Sequence, residues 1–157
     1  MPGVRLSSAY RGNLSRGDAA TDWIDTFVLA DGRLAISIGD ATDGDGRRAV
    51  HAVRAALRDA AERTSPLGAL RHANTVLAKL RSGAMVTAIF GVLDGTTLAF
   101  TYGCAGHPPP LAAKADGSVD ELPGRGTGIP LGVFADLAAV ELATQLEPGD
   151  VLALYTD

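Results

Sequence analysis

The hydrophobic pattern of the chain begins with two apolar runs that flank a short polar turn. The runs occupy residues 23–29 and 34–38, and Ala30, Asp31 and Gly32 lie between them. A three-residue loop that ends in glycine is typical of a β-hairpin, because glycine adopts the left-handed backbone conformation that such a loop requires. We therefore predict two antiparallel strands in which residue 29 pairs with residue 33.

Two helices are predicted after this hairpin. Between residues 47 and 62 the apolar positions recur at helical spacing and share one face. They are Ala49, Val53, Ala56, Leu57 and Ala60. Ser65 and Pro66 are typical of a helix cap and first turn, and the second helix is predicted to end near residue 81. Its inward face comprises Leu67, Leu70, Asn74, Leu77 and Leu80. We expect the helices to pack as an antiparallel pair against a sheet.

The remainder of the chain has the pattern of short strands. Residues 85–93 and 97–102 form a second predicted hairpin, and weaker strand signals cover residues 110–113 and 138–143. Residues 151–155 are apolar throughout, which is typical of a central strand with both faces buried. Strands grouped around a helix pair indicate the α+β class, with stacked antiparallel sheets flanked by helices.

Length and composition favour one globular domain over residues 1–157. Hydrophobic residues make up 46% of the chain, no run approaches the roughly 18 apolar residues of a membrane span, and the N-terminus lacks the apolar core of a secretion signal. The single cysteine, Cys104, allows no internal disulfide, which favours the cytoplasm. A net charge of -4 disfavours nucleic acid as a partner, because no basic excess is available to displace counterions.

The predicted hairpin places two carboxylates opposite each other. If residue 29 pairs with residue 33, then Asp22 pairs with Asp40 at the open end of the hairpin. Opposed side chains in a sheet lie about 5 Å apart at Cβ, where like charges repel each other. A divalent cation relieves that repulsion, since hard cations bind carboxylate oxygens. A two-residue loop would instead put the two aspartates on opposite faces of the sheet.

A third aspartate follows the last apolar strand. Asp157 ends the run LALYTD as Asp40 ends the run ISIGD, so two strands each deliver a carboxylate at the C-terminal end. Single strand-end aspartates are commonly turn residues, because their side chains bond to nearby backbone. An opposed pair together with a third carboxylate also suits a metal site, and both interpretations stay open.

Other candidate groups have simpler explanations. Residues 40–46 are acidic, but their glycine stands at the wrong position for a calcium-binding EF-hand loop. Asp43 and Asp45 either hold a further ion or cap the following helix, and capping is the simpler explanation. Cys104 lacks the arginine of a C-x5-R phosphatase motif, since a proline stands in its place, and is expected to be a small buried residue. His107 is expected in a structural turn.

Four groups of residues occur in a recognisable order. They are DWID at 22–25 with IGD at 38–40, AGHPPPL at 105–111, GIPLG at 128–132, and LEPGD leading into YTD at 146–157. In this order and spacing they resemble the metal-dependent serine/threonine protein phosphatases of the 2C type, in the SpoIIE/RsbU-like bacterial branch. Each group alone is a weak signal, but together they cover the chain from about residue 15 onward.

The resemblance implies an αββα sandwich of two mainly antiparallel sheets, with two Mn²⁺ or Mg²⁺ ions between them. Asp40 matches the aspartate that bridges both ions. Asp22 and the carbonyl of Ala41 match ligands of one ion, and Asp157 matches a ligand of the other. Catalysis in the family uses a metal-activated water that attacks phosphorus directly. The implied substrate is a phosphorylated regulatory protein of the anti-anti-sigma kind, and a homodimer is left open.

Three features depart from the family pattern. Ala20 and Thr21 stand where the family has two glycines, residues 41–46 form a more acidic turn, and the family has a further acidic ligand beyond the position of Asp157. We therefore expect a single phosphatase domain that is short at its C-terminal end. Two hypotheses follow: a metal-dependent phosphoprotein phosphatase, or a degenerate phosphatase-like domain that binds a regulatory partner without turnover.

Overall fold

The computed structural model describes residues 3–9, 21–42, 44–124 and 128–156. In chain order the elements in these ranges are β1 (Trp23–Val28), β2 (Leu34–Thr42), α1 (Gly46–Ala60), α2 (Pro66–Leu80), β3 (Met85–Leu93), β4 (Ala99–Ala105), β5 (Leu111–Ala113), β6 (Val119–Glu121), β7 (Glu141–Gln145) and β8 (Val151–Ala153). They form a five-stranded sheet, β1-β2-β3-β4-β7, and a three-stranded sheet, β6-β5-β8. Neighbouring strands in both sheets are antiparallel, which confirms the predicted α+β class.

The first hairpin has the register that its loop predicts. Ile24 pairs with Ile38, and the N–H of Leu29 donates to the carbonyl of Arg33 at 2.8 Å. Gly32 adopts a φ of +87°, in the left-handed region that disfavours a side chain. The length of the loop thus decides which residues share each face of the hairpin.

Alternate side chains of β2 point into two separate apolar cores, one on each face of the five-stranded sheet. Leu34, Ile36 and Ile38 pack toward the three-stranded sheet, whereas the residues between them pack toward the helices. The helix-facing positions are small, namely Ala35, Ser37, Gly39 and Ala41. Small residues here leave room for Trp23, because a Cβ at position 39 would lie 2.2 Å from its ring.

Both helices begin at the residues that cap them. The Asp45 side chain accepts from the N–H of Arg48, and the Ser65 side chain accepts from the N–H of Gly68. Asp45 therefore caps α1, as predicted, and α2 ends at Leu80, followed by Arg81 in a left-handed conformation. The inward positions predicted for α1 are buried, and both helices pack on one face of the five-stranded sheet. Within the described ranges, no helix is long and apolar enough to cross a membrane.

The predictions for the later strands are partly wrong. Within the described residues β8 is an edge strand that pairs with β5 and exposes 59% of Val151, so the run 151–155 is not a central strand. Strand β7 begins at Glu141, three residues later than predicted, and joins the five-stranded sheet beside β4. Strand β6 has no signal in the sequence, because all three of its residues are exposed. Hydrophobic patterns detect burial, and these short strands bury little.

Candidate metal centre

Asp40 lies near the C-terminal end of β2, half-buried, on the face that packs toward the three-stranded sheet. Its neighbour across the ladder on β3 is Thr87. Its Oδ1 accepts hydrogen bonds from the hydroxyl of Thr21 at 2.6 Å and from the N–H of Ala41 at 2.7 Å. Because the bonds that Asp40 makes with described residues both end on Oδ1, the second carboxylate oxygen is left for another ligand.

Asp22 immediately precedes β1. The register of β1 and β2 pairs Trp23 with Gly39, and its extension by one residue places Asp22 opposite Asp40. Both aspartates are half-buried. The register on which the predicted carboxylate pair depends is therefore confirmed, whereas the role of the two residues as metal ligands stays a prediction.

The other predicted ligands are the carbonyl of Ala41 and the side chain of Asp157. Ala41 follows Asp40 in β2, and its methyl group packs in the helix-facing core, so its backbone carbonyl is the oxygen it can offer. Asp157 and Asp43 lie outside the described residues. Within the described ranges, no three His, Cys, Asp or Glu side chains form a metal-binding group. Two opposed carboxylates nevertheless fit a hard divalent cation, since Mn²⁺ and Mg²⁺ prefer oxygen donors.

His107 connects the two sheets beside Asp40. It is 4% exposed, its Nδ1 lies 2.9 Å from the hydroxyl of Thr87, and its Nε2 lies 3.0 Å from the carbonyl of Tyr155. Thr87 belongs to β3, and Tyr155 follows β8. The structural role predicted for His107 is therefore confirmed, although nothing in the sequence pattern identifies its two partners.

Cys104 is a buried structural residue, as predicted. It is 1% exposed, and burial raises the pKa of its thiol. Its Sγ donates to the carbonyl of His107 at 3.0 Å. Because the thiolate is the nucleophilic form of cysteine, a protonated thiol held in this way stabilises the turn and does not serve as a nucleophile.

The sequence analysis missed a buried ion pair on the helix-facing side of β1. Asp25 is 8% exposed and accepts from Nε and a terminal nitrogen of Arg58, at 2.7 and 2.5 Å. The guanidinium of Arg58 also lies 4.4 Å from the centre of the Phe27 ring, a cation–π contact. A signal was available in the sequence, because Asp25 lies between Trp23 and Phe27 on the same face of β1, which the helices cover. A carboxylate on such a face requires a cation from the layer above it.

The chain matches the family model of stage II sporulation protein E (SpoIIE) over residues 30–157. This range is well over half of the chain. It includes Asp40, the AGHPPPL run that contains His107, and the strand that precedes Asp157.

Solved structures share the fold. The RsbU and RsbW domains of a Mycobacterium tuberculosis protein are 29% identical, with a TM-score of 0.77 over 92% of this chain and 40% of that chain. The phosphatase 2C domain of SpoIIE from Bacillus subtilis is 19% identical, with a TM-score of 0.66 over 87% of this chain and 40% of that one. RsbX in complex with magnesium is 15% identical, with a TM-score of 0.70 over 90% of this chain and 68% of that one. The chain thus spans about two fifths of the first two neighbours.

Proposed function

This chain belongs to the SpoIIE family, and we propose that it is a metal-dependent serine/threonine protein phosphatase domain. The observation that carries the proposal is the register of the first hairpin, which brings Asp22 and Asp40 to one end of the sheet. Like charges in that arrangement repel, and a bound cation relieves the repulsion. Family membership supports phosphate-ester hydrolysis as the chemistry.

We propose that the centre binds Mn²⁺ or Mg²⁺. Asp40 would serve both of two ions, Asp22 and the Ala41 carbonyl would serve one, and Asp157 would serve the other. All four groups offer oxygen, which hard cations prefer. RsbX, which shares the fold, was solved in complex with magnesium. That structure supports a divalent cation without choosing between the two metals.

The described residues orient the central carboxylate in advance. The Thr21 hydroxyl and the Ala41 N–H both hold Oδ1 of Asp40, so its side chain loses little freedom when a ligand binds Oδ2. Divalent cations, when bound, supply an acidified water and positive charge for the phosphoryl oxygens. The protein contributes the position of the carboxylates, which the hairpin register controls.

The proposed substrate is a phosphorylated regulatory protein of the anti-anti-sigma kind, acting in the cytoplasm. Two observations support it: the M. tuberculosis neighbour combines an RsbU domain with an RsbW domain, and the net charge of -4 disfavours nucleic acid. A domain that docks such a partner without turnover is the second candidate. It is favoured by the departures from the family pattern at Ala20 and Thr21.

Thermal unfolding with and without Mn²⁺ tests the metal site. A ligand that binds only the folded state stabilises it, so Mn²⁺ at about a hundred times its Kd should add about 2.7 kcal/mol to the free energy of unfolding. Asp40→Asn should abolish this gain, whereas Asp31→Asn, at the loop end of the same hairpin, should retain it. An Asp40→Asn protein that Mn²⁺ stabilises as much as the wild type contradicts the site.

Phosphate release separates the enzyme from the docking domain. An enzyme releases phosphate from p-nitrophenyl phosphate or a phosphoserine protein in the presence of Mn²⁺, and Asp40→Asn removes that activity. A docking domain binds the phosphoprotein in a calorimetric titration, releases no phosphate, and binds equally well with Asp40→Asn. Turnover that survives Asp40→Asn would place the chemistry elsewhere in the molecule.

A further inference from the structure

His107 carries two hydrogen-bonding ring nitrogens into the space between the sheets. Its Nε2 must be the donor to Tyr155, because a carbonyl oxygen carries no proton. In a neutral ring Nδ1 is then an acceptor, so the Thr87 hydroxyl donates to it. One nitrogen of this buried ring thus bonds to Thr87 in the five-stranded sheet, and the other bonds to Tyr155, which follows β8 of the three-stranded sheet.

The partners of His107 stand beside the proposed metal ligands. Thr87 is directly opposite Asp40 in the ladder between β2 and β3. Tyr155 follows β8 and comes two residues before Asp157 in the sequence. A single imidazole thus joins the cross-strand neighbour of one proposed ligand to the chain segment that leads to another.

The turn that presents His107 is tightly specified. Gly106 has a φ of +66°, and a Cβ there would lie 2.7 Å from the ring of Pro130. Gly106 also forms a parallel bridge with Ala88, and Cys104 Sγ donates to the His107 carbonyl. These contacts form the turn through backbone and neighbouring groups, and none of them uses the imidazole. The ring therefore makes its own contacts, with Thr87 and Tyr155, in addition to those that form the turn.

We propose that His107 is a positioning residue that holds the strand pair carrying Asp40 and the segment that follows β8 in the relative position that supports divalent-cation binding. The inference rests on the proposed function, since it concerns the same centre. His107 acts through Thr87 and Tyr155, which its ring nitrogens contact, and is not itself a ligand. Without the imidazole this connection is lost, so cation binding must itself fix the relative position of the two segments and the affinity falls.

Calorimetric titration of the full chain with Mn²⁺ alone tests this role. His107→Leu removes both ring contacts, and Thr87→Val removes one hydroxyl with little change of shape. Residues that support metal ligands typically contribute about 10–100-fold to metal affinity, so both variants should bind Mn²⁺ at least about tenfold more weakly. His107→Gln should recover part of the loss, because its amide can still donate to the Tyr155 carbonyl.

Asn74→Leu is the matched control. Asn74 is 1% exposed, and its amide donates to the carbonyls of Phe134 and Ala135 and accepts from the N–H of Gly132. That loop contains none of the proposed ligands, so Asn74→Leu should lower the melting temperature and leave the Mn²⁺ affinity unchanged. The proposal is overturned if Thr87→Val binds Mn²⁺ as tightly as the wild type. It is also overturned if Asn74→Leu weakens binding as much as the His107 variants do.

Asp40→Asn separates a failure of this inference from a failure of the proposed function. If Asp40→Asn binds Mn²⁺ normally, the centre is misplaced and both proposals fail. If Asp40→Asn loses binding while Thr87→Val and His107→Leu keep it, the positioning role alone fails. Should His107→Leu not fold, Thr87→Val decides the matter by itself, since it leaves the imidazole in place.

Discussion

The two sheets share an apolar core between them, but they differ in how much their other surfaces are covered. One face of the five-stranded sheet is covered by α1 and α2, and the core between them consists of buried apolar side chains from both helices and from β1 to β3. Each strand of the other sheet is only three residues long, and every residue of β6 is exposed. Burial of apolar surface stabilises the helix-covered layer far more than the outer edges of the small sheet.

Polar contacts add to this shared core at the edges of the three-stranded sheet. Lys114 Nζ lies 2.7 Å from Oδ2 of Asp150, whose side chain is 3% exposed, and this pair links the ends of β5 and β8. The hydroxyl of Tyr102 donates to the carbonyl of Pro123 at 2.5 Å, and burial raises the pKa of Tyr102 to about 12. The Tyr102 bond and the contacts of His107 reach from the large sheet to segments beside the small one, whereas the Lys114–Asp150 pair lies within the small sheet.

Apolar burial and polar contacts therefore contribute differently: burial stabilises the packing of the layers, and hydrogen bonds fix their alignment. Apolar burial is strong but non-directional, so it favours packing of the layers without choosing one alignment. A hydrogen bond contributes less to stability, but it requires a defined distance and angle. We therefore expect changes under the helices to affect folding most, and changes at the polar contacts of the small sheet to affect it least.

The largest effect should come from a charge placed under the helices. Leu57 is 1% exposed on the inward face of α1. Leu57→Asp puts an unpaired charge in that core and should reduce stability by more than about 4 kcal/mol, which unfolds the domain. Val151→Asp, at a 59% exposed position of β8, should change it by less than about 0.5 kcal/mol. Circular dichroism during urea denaturation measures both, and a cooperatively folded Leu57→Asp protein would contradict the comparison.

A smaller effect is expected from the ion pairs that Asp25 forms under the helices with Arg58 and, at a longer distance, with Arg54. Charge-assisted hydrogen bonds contribute about 1.5–3 kcal/mol, and because Arg58 is half exposed, Asp25→Asn should fall at the lower end of that range. Asp31→Asn breaks an exposed pair with Arg33 and should lower stability less than Asp25→Asn does, because solvent screens exposed pairs. Equal urea midpoints for the two variants would mean that burial of Asp25 adds nothing to its pairing.

The smallest effect is expected at the polar contact between β5 and β8. A hydrogen bond from Lys114 is the main cause that holds the pKa of Asp150 below its usual range, and the N–H of Glu147 contributes as well. Since the folded-state pKa is depressed, this stabilisation is present above the unfolded-state pKa of about 3.9 and is lost as the pH falls through the folded-state value. Lys114→Met should therefore lower the urea midpoint at about pH 6, and its difference from the wild type should shrink below about pH 4.

Lys79→Met on the exposed side of α2 is the matched control for this pH dependence. It removes the same charge without touching the small sheet, so its difference from the wild type should not depend on Asp150 and should stay small in acid. If the deficit of Lys114→Met persists undiminished as the pH falls, then Asp150 is not the group that Lys114 stabilises.

Short-range signals in the sequence determined the first hairpin and both helices. Loop length and Gly32 set the register of β1 and β2, which places Asp22 opposite Asp40. Ser65 and Pro66 set the start of α2. Each of these features depends on residues within a few positions of one another, so local propensity and periodicity suffice to predict them.

The small sheet could not be predicted in the same way. Strand β6 is exposed and lacks the apolar pattern by which strands are predicted, whereas β8 is apolar yet lies at an edge of the described sheet. Both strands are in place because they pair with β5. That pairing is a property of the assembled layers, and the pattern within each strand does not encode it.

The sequence by itself placed Asp25 in the first hairpin and His107 in a turn, and only the tertiary structure decided what they bind. Arg58 is 33 residues from Asp25, and the partners of His107 are 20 and 48 residues away along the chain. Burial obliges a polar group to find a hydrogen-bonding partner, because leaving it unpaired is costly. It does not choose the partner, since that choice depends on how the helices and the two sheets pack against one another.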